Sequence, residues 1–117
     1  MESEDALACL GALSQSTRLE TFRLLVRHEP EGLPAGEVAR QLDVPQNTMS
    51  THLAVLTRAG LLRSERLSRS IVYRVDLECL REMMLFLARD CCGGRADLCQ
   101  PLVAGLLPCC PPEKAAS

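Results

Sequence analysis

Apolar residues recur along this chain with two different periods, and the change of period marks out its elements. Ala6, Leu7, Leu10 and Leu13 stand at helical spacing behind an acidic start, where the helix dipole favours negative charge, and predict a short first helix over 5–13. Ser14 to Thr17 breaks it. A second helix is expected from about Thr17 to Arg27, with Leu19, Phe22, Leu25 and Val26 as its buried stripe, ending before Pro30-Glu31-Gly32. Pro34 suits the first turn of a third short helix in which Val38, Ala39 and Leu42 face the core, and Asp43-Val44-Pro45 makes a tight break. A fourth helix begins near Gln46. At about 100° per residue, Met49, Leu53 and Leu56 share one buried face, while Asn47, Thr51, Ala54 and Arg58 fall on the opposite one. That outer face is small, polar and basic.

After Ala59-Gly60 the period becomes two: Leu62, Ser64 and Arg66 against Arg63, Glu65 and Leu67, then Ile71, Tyr73 and Val75 against Val72 and Arg74. A β-hairpin turning near Ser68-Arg69-Ser70 is expected. Beyond Asp76, Leu80, Met84, Leu87 and Cys91 follow at i, i+4, i+7 and i+11 with Met83 beside them, which predicts a last helix whose Met-rich stripe serves as core or subunit seam. Two short helices joined by a tight turn and followed by a basic hairpin form a winged helix-turn-helix, a fold that is mostly α with a small β-hairpin. Its second helix enters the major groove and its wing grips the flanking backbone.

With 117 residues, 47% of them hydrophobic and 24% charged, the chain fits one compact unit, which excludes a multidomain enzyme and a disordered chain. Its apolar runs fall far short of the roughly 20 residues that cross a bilayer, and Met1-Glu2-Ser3-Glu4-Asp5 has the wrong charge for a signal peptide, so a cytoplasmic protein with no membrane partner is expected. The net charge of -2 hides an uneven distribution. Residues 46 to 75 hold Arg58, Arg63, Arg66, Arg69 and Arg74 against Glu65 alone, a local +4, which leaves -6 for the remainder. The basic pole coincides with the expected recognition helix and wing.

Leu13-Ser14-Gln15-Ser16-Thr17-Arg18-Leu19, Gly36-Glu37-Val38-Ala39-Arg40-Gln41-Leu42 and Gln46-Asn47-Thr48-Met49-Ser50-Thr51-His52-Leu53, followed by Leu56 and Ala59-Gly60-Leu61-Leu62, resemble the ArsR/SmtB family of metal-sensing bacterial repressors. The likeness covers roughly residues 5 to 90 and joins several segments in the right order. It implies a homodimer on double-stranded operator DNA, because one recognition helix spans too few base pairs and a two-fold dimer sets a pair of them on successive major grooves. The residues suit that role. Gln46, Asn47, Thr48, Ser50 and Thr51 are short donors and acceptors for base edges and phosphates, while Arg58, Arg66 and Arg69 can neutralise phosphate. His52 matches the same helix signature but lies close to the buried face, so it is expected to pack with a satisfied ring.

Seven cysteines are many for a reducing compartment, where thiols more often bind metals or do redox work than pair as disulfides. Cys9 and Cys79 stand alone among apolar residues and read as small core side chains. Cys91, Cys92, Cys99, Cys109 and Cys110 all fall in the last 27 residues. Two sensor patterns of the resembled family are absent: Gly36 to Leu42 has no cysteine, and Asp76 to Arg89 has no histidine. What remains resembles members that bind trivalent arsenic through a Cys-Cys pair ending the last helix and a third Cys a few residues on, here Cys91, Cys92 and Cys99. Trivalent arsenic is soft and takes three thiolates in a pyramid, and Gly93-Gly94 lets the chain fold back. Cys109-Cys110, between Pro108 and Pro111-Pro112, could complete or duplicate the site.

The expected organisation is therefore a DNA-binding and dimerisation domain over 1–90 with an α-helical dimer interface, followed by a Cys-rich sensor segment and tail over 91–117. The expected function is an arsenite-responsive repressor that binds its operator as a homodimer and leaves it when arsenic binds. Within the same class the thiols could answer cadmium or lead, an organoarsenical needing two cysteines, or an oxidant or persulfide. A small thiol enzyme would want its cysteine at a helix N-terminus, whereas Cys91-Cys92 end a helix and no Cys-x-x-Cys is present, so an enzyme with a catalytic cofactor is not expected. A winged helix used for protein interaction without DNA is the other class that the pattern permits.

Overall fold

The computed structural model describes residues 1–91. Five helices and a small sheet follow in the order α1 (Ser3–Leu13), α2 (Ser16–Arg27), β1 (Leu33–Pro34), α3 (Ala35–Leu42), α4 (Gln46–Arg58), β2 (Leu62–Leu67), β3 (Ser70–Val75) and α5 (Leu77–Cys91). The sheet order is β1-β3-β2, antiparallel throughout, with Leu62 opposite Val75 and Leu67 opposite Ser70 across the hairpin. The packing divides at Met83, and the core described here belongs to the unit Met1–Met83. None of the described helices is long and apolar enough to cross a membrane.

Local chemistry sets the element ends. The Gln15 side chain accepts from the Arg18 backbone N–H at 2.9 Å and starts α2. Arg18 also donates from Nε to the Ala12 carbonyl at 2.6 Å, tying the end of α1 to the start of α2. Asp43 closes α3 in the left-handed region at φ 56°, which Asp tolerates better than most residues, and so turns the chain sharply into α4. Gly32 has φ +76°, and a Cβ there would lie 2.5 Å from the Tyr73 carbonyl oxygen and from Arg74 Cγ, so no other residue fits where the chain passes under β3.

Leu25, Val38, Met49, Leu53, Leu56, Leu61 and Leu62 form the centre of the core, joined by Phe22, Leu24, Ala39 and Val75. Thr21 is buried but satisfied, its hydroxyl donating to the Thr17 carbonyl at 2.8 Å. The inward face of α1 is Ala6, Cys9 and Ala12, whereas Leu7 and Leu10 point outward, Leu7 with 67% of its surface exposed. Small side chains let α1 approach its neighbours closely and leave the large ones outside. Leu19 and Val26, expected in the buried stripe of α2, lie instead at the surface, because Thr21 and Leu24 take the inward positions. On α5 it is Met83 that enters the core, while Leu85 and Leu87 are exposed. The two-residue strand β1 goes beyond the hairpin that the sequence pattern predicts, and adds Leu33 and Pro34 opposite Tyr73 and Val72.

Candidate nucleic-acid interface

The helix-turn-helix is α3 and α4. Met49, Leu53 and Leu56 anchor α4 completely inside the core, Met49 with its sulfur 3.6 Å from the Thr21 hydroxyl. That triplet fixes the helix's rotation, so Gln46, Asn47, Thr48, Ser50, Thr51, Ala54 and Arg58 are all exposed, as the helical count requires. At the N-terminal end the Asn47 side chain accepts from the Thr48 N–H at 2.9 Å, and the Gln46 amide rests 3.4 Å from where a Gly36 Cβ would lie, across the start of α3. Thr51 donates back to the Asn47 carbonyl at 3.4 Å. His52 is half-buried with Nδ1 3.5 Å from the Arg18 guanidinium, placed to accept from it, which is the packed role expected of it.

On the wing, β2 and β3 carry their exposed cations on two faces. Arg66 pairs across the ladder with Ile71, and Arg69 sits in the two-residue turn beside Ser68, whose φ of 55° tightens the hairpin. On the other face Arg63 lies directly opposite Arg74. Like charges there repel, and Glu65 relieves the pair by accepting from Arg74 at 3.3 Å. These residues and Ser64 line an open crevice of about 300 Å³. Among the described residues, the arginines in ion pairs are Arg40 with Glu37, Arg74 with Glu65 and Arg81 with Glu78. Hydrogen bonds from Arg40 and Gln41 hold the Glu37 carboxyl down at about 2. Arg58, Arg63, Arg66 and Arg69 are exposed and have no carboxylate partner among the described residues.

The polar outer face of α4 with Arg58, and the exposed Arg63, Arg66 and Arg69 on the hairpin that follows, are side chains of the kind suited to a major groove and its flanking phosphates. Arg63 is the member that the sequence reading passed over. Its signal was present in the +4 segment, but only the strand register shows that it is free while Arg74 is engaged.

Of the expected sensor residues, Cys91 is the last residue of α5, and Cys92 and Cys99 lie outside the described residues, as do Cys109 and Cys110. Among the described residues no group of three or more metal-ligating side chains comes together. Cys9 and Cys79 are free thiols, Cys9 fully buried as expected of a core side chain and Cys79 half-buried against the same core.

A helix-turn-helix domain model matches residues 13–65 of this chain. The chain is similar to the transcriptional activator HlyU of Vibrio cholerae, 29% identical over 90 residues, which is 77% of this chain and 81% of that protein. Among solved structures it is similar to an ArsR-like transcriptional regulator from Rhodococcus, with a TM-score of 0.68 and 27% identity over 86% of this chain and 89% of that one. It also shares the fold of the homodimeric winged helix-turn-helix DNA-binding domain of a possible ArsR-family regulator from Mycobacterium bovis, with a TM-score of 0.61 and 21% identity over 72% and 76% of the two chains. The proteins it resembles are regulators of transcription, not enzymes.

Proposed function

Taking as premise that this chain is a winged helix-turn-helix transcriptional regulator of the ArsR/SmtB family, we propose that it is a homodimeric repressor released from its operator by trivalent arsenic. The observation that carries the DNA-binding part is that α4 exposes Asn47, Thr51 and Arg58, and the hairpin after it exposes Arg63, Arg66 and Arg69, none of these arginines being in an ion pair among the described residues. Short side chains at the start of α4 read base edges, and the arginines neutralise the phosphates on either side. Dimerisation through α1 and α5 is supported by Leu7, Leu10, Leu85 and Leu87, apolar side chains left in water by a single chain, and by the homodimeric Mycobacterium bovis domain of the same fold.

The sensor is Cys91, Cys92 and Cys99. Cys91 ends α5, the helix assigned to the seam, so three thiolates gathered around arsenic would reorder that helix end and change the spacing of the two recognition helices. Ligand and DNA then oppose each other through a coupling that is reciprocal, and release depends on the ligand's preference for the unbound form of the dimer.

A mobility shift on the DNA upstream of the protein's own gene tests this, repeated with arsenite, cadmium and a peroxide. The expected result is a retarded complex that arsenite dissolves, with Cys92→Ser and Cys99→Ser still binding DNA but ignoring arsenite. Release by cadmium or peroxide instead would change the inducer. A normal arsenite response in both variants would remove the sensor site.

A further inference from the structure

Cys9 and Cys79 are 70 residues apart in sequence, yet their Sγ atoms are 3.7 Å apart. Cys9 lies on the inward face of α1, and its thiol is 3.4 Å from the Ala59 carbonyl, to which it donates. Cys79 is the third residue of α5, with its backbone N–H donating to the Asp76 carboxylate at 3.0 Å. A Cβ on Gly60, with φ +95°, would lie 3.7 Å from Cys79 Sγ. The two thiols thus rest on Ala59-Gly60, the turn that ends the recognition helix α4 and leads into the wing.

We infer that Cys9 and Cys79 form a reversible disulfide site, distinct from the C-terminal cysteines, that a hydroperoxide closes and a dithiol reopens. Closure requires the sulfurs to approach from 3.7 Å to about 2.05 Å, a shift that side-chain rotation and a small adjustment of helix ends can supply. Cys79 is the entry point, since it is half-buried whereas Cys9 is fully buried. The Cys79 sulfur, as thiolate, attacks the O–O bond of the hydroperoxide; a sulfur–oxygen bond forms, the O–O bond breaks, and the released alkoxide takes a proton to leave as the alcohol. The Cys9 sulfur then attacks Cys79, the sulfur–oxygen bond breaks, and hydroxide leaves as water with the Cys9 proton. The two thiols lose two electrons and two protons, and one hydroperoxide becomes one alcohol and one water.

Two opposing effects set how readily this happens. A position in the first turn of a helix favours a thiolate through the dipole. Burial comes first against it, followed by the hydrogen bond with Cys9 and the charges of Asp76 and Glu82, and together they push the Cys79 thiol up to about 12. Burial and the contact with Cys9 win, with the two acids adding to them. The pair therefore resists mild oxidation and closes under strong or sustained peroxide. Closure also withdraws the Cys9 S–H from the Ala59 carbonyl, so the joint between recognition helix and wing senses the change.

Peptide mapping without reductant tests the site in the full chain. Trypsin puts Cys9 on peptide 1–18 and Cys79 on peptide 75–81, separate from the remaining cysteines. After hydroperoxide treatment, the two peptides should be recovered joined and lighter by two hydrogen atoms, and dithiothreitol should separate them. The oxidised protein should show an upward shift in Tm, because a 70-residue loop is closed in the unfolded chain. Cys79→Ser should abolish the joined peptide and the shift while keeping the response to arsenite. A chain in which Cys91, Cys92, Cys99, Cys109 and Cys110 are all serine should retain both. Recovery of Cys9 and Cys79 as free thiols would overturn the inference, and so would Cys79 oxidised alone or a Tm shift that survives Cys79→Ser.

Discussion

Replacing Arg66 and Arg69 together by alanine gives the most quantitative test of the proposed DNA-binding surface. Both side chains are exposed and neither has a carboxylate partner among the described residues, so their removal leaves no buried charge behind and the fold should persist. If each contacts one phosphate, a dimer loses four such contacts. At about 0.9 per phosphate, the slope of log affinity against log salt should become shallower by about 3.6. Between about 50 and about 200 mM salt, the salt-induced loss of affinity should then be smaller by a factor of roughly 150. Fluorescence anisotropy of a labelled duplex from upstream of the gene, titrated at stepped potassium chloride, reads this directly. Arg81→Ala is the control, because Arg81 lies on α5 in an ion pair with Glu78 and should leave the slope unchanged. A double variant with the parent slope would take the wing tip out of the interface, and a shift of the same size in Arg81→Ala would mean that only overall charge matters.

Alanine at Asn47 or Thr51, both exposed on α4, should weaken operator binding by about 1 to 3 kcal/mol per lost base contact and leave random DNA nearly unaffected; an equal loss on both would show that they touch only phosphate. Leu7→Glu on the outer face of α1 should sediment as a monomer, as should Met84→Glu, since each sets a carboxylate in the proposed seam; a surviving dimer would move the seam elsewhere. The Cys79 thiol titrates near 12 in the folded chain against an ordinary value of 9.0, so between those two values the unfolded chain sheds a proton that the folded chain keeps. Stability should therefore fall as pH rises above about 9, and thermal melts of Cys79→Ala should fall less steeply over that window; parallel curves would refute the shift.

The sequence reading succeeded where one regular period governed a whole element. Met49, Leu53 and Leu56 repeat cleanly enough to orient α4, and with it the exposed positions of Asn47, Thr51 and Arg58. On α1 the spacing predicts the helix but not its inward side, because apolar residues are so dense that hydrophobicity alone cannot tell inside from outside; size decides, with Ala6, Cys9 and Ala12 inward. The two residues of β1 are too few to carry a period. Which arginines are free depends on partners across a strand or one helical turn, as with Arg74 and Glu65, and is not a property of the charge count. The meeting of Cys9 with Cys79 is a tertiary fact spanning 70 residues, and each thiol alone looks like ordinary core.

Pro34 both ends β1 and stands before the first residue of α3. Having no N–H, it leaves that margin of the three-stranded sheet short of a donor just where another strand could add. At the opposite margin, β2 is bordered by Arg63, Glu65 and Arg66, charges that discourage a neutral strand from aligning there. The wing is thus blunted on both sides against edge-to-edge aggregation. Where copies of the chain crowd together, neither margin of one sheet invites the strand of another, so each hairpin keeps to itself.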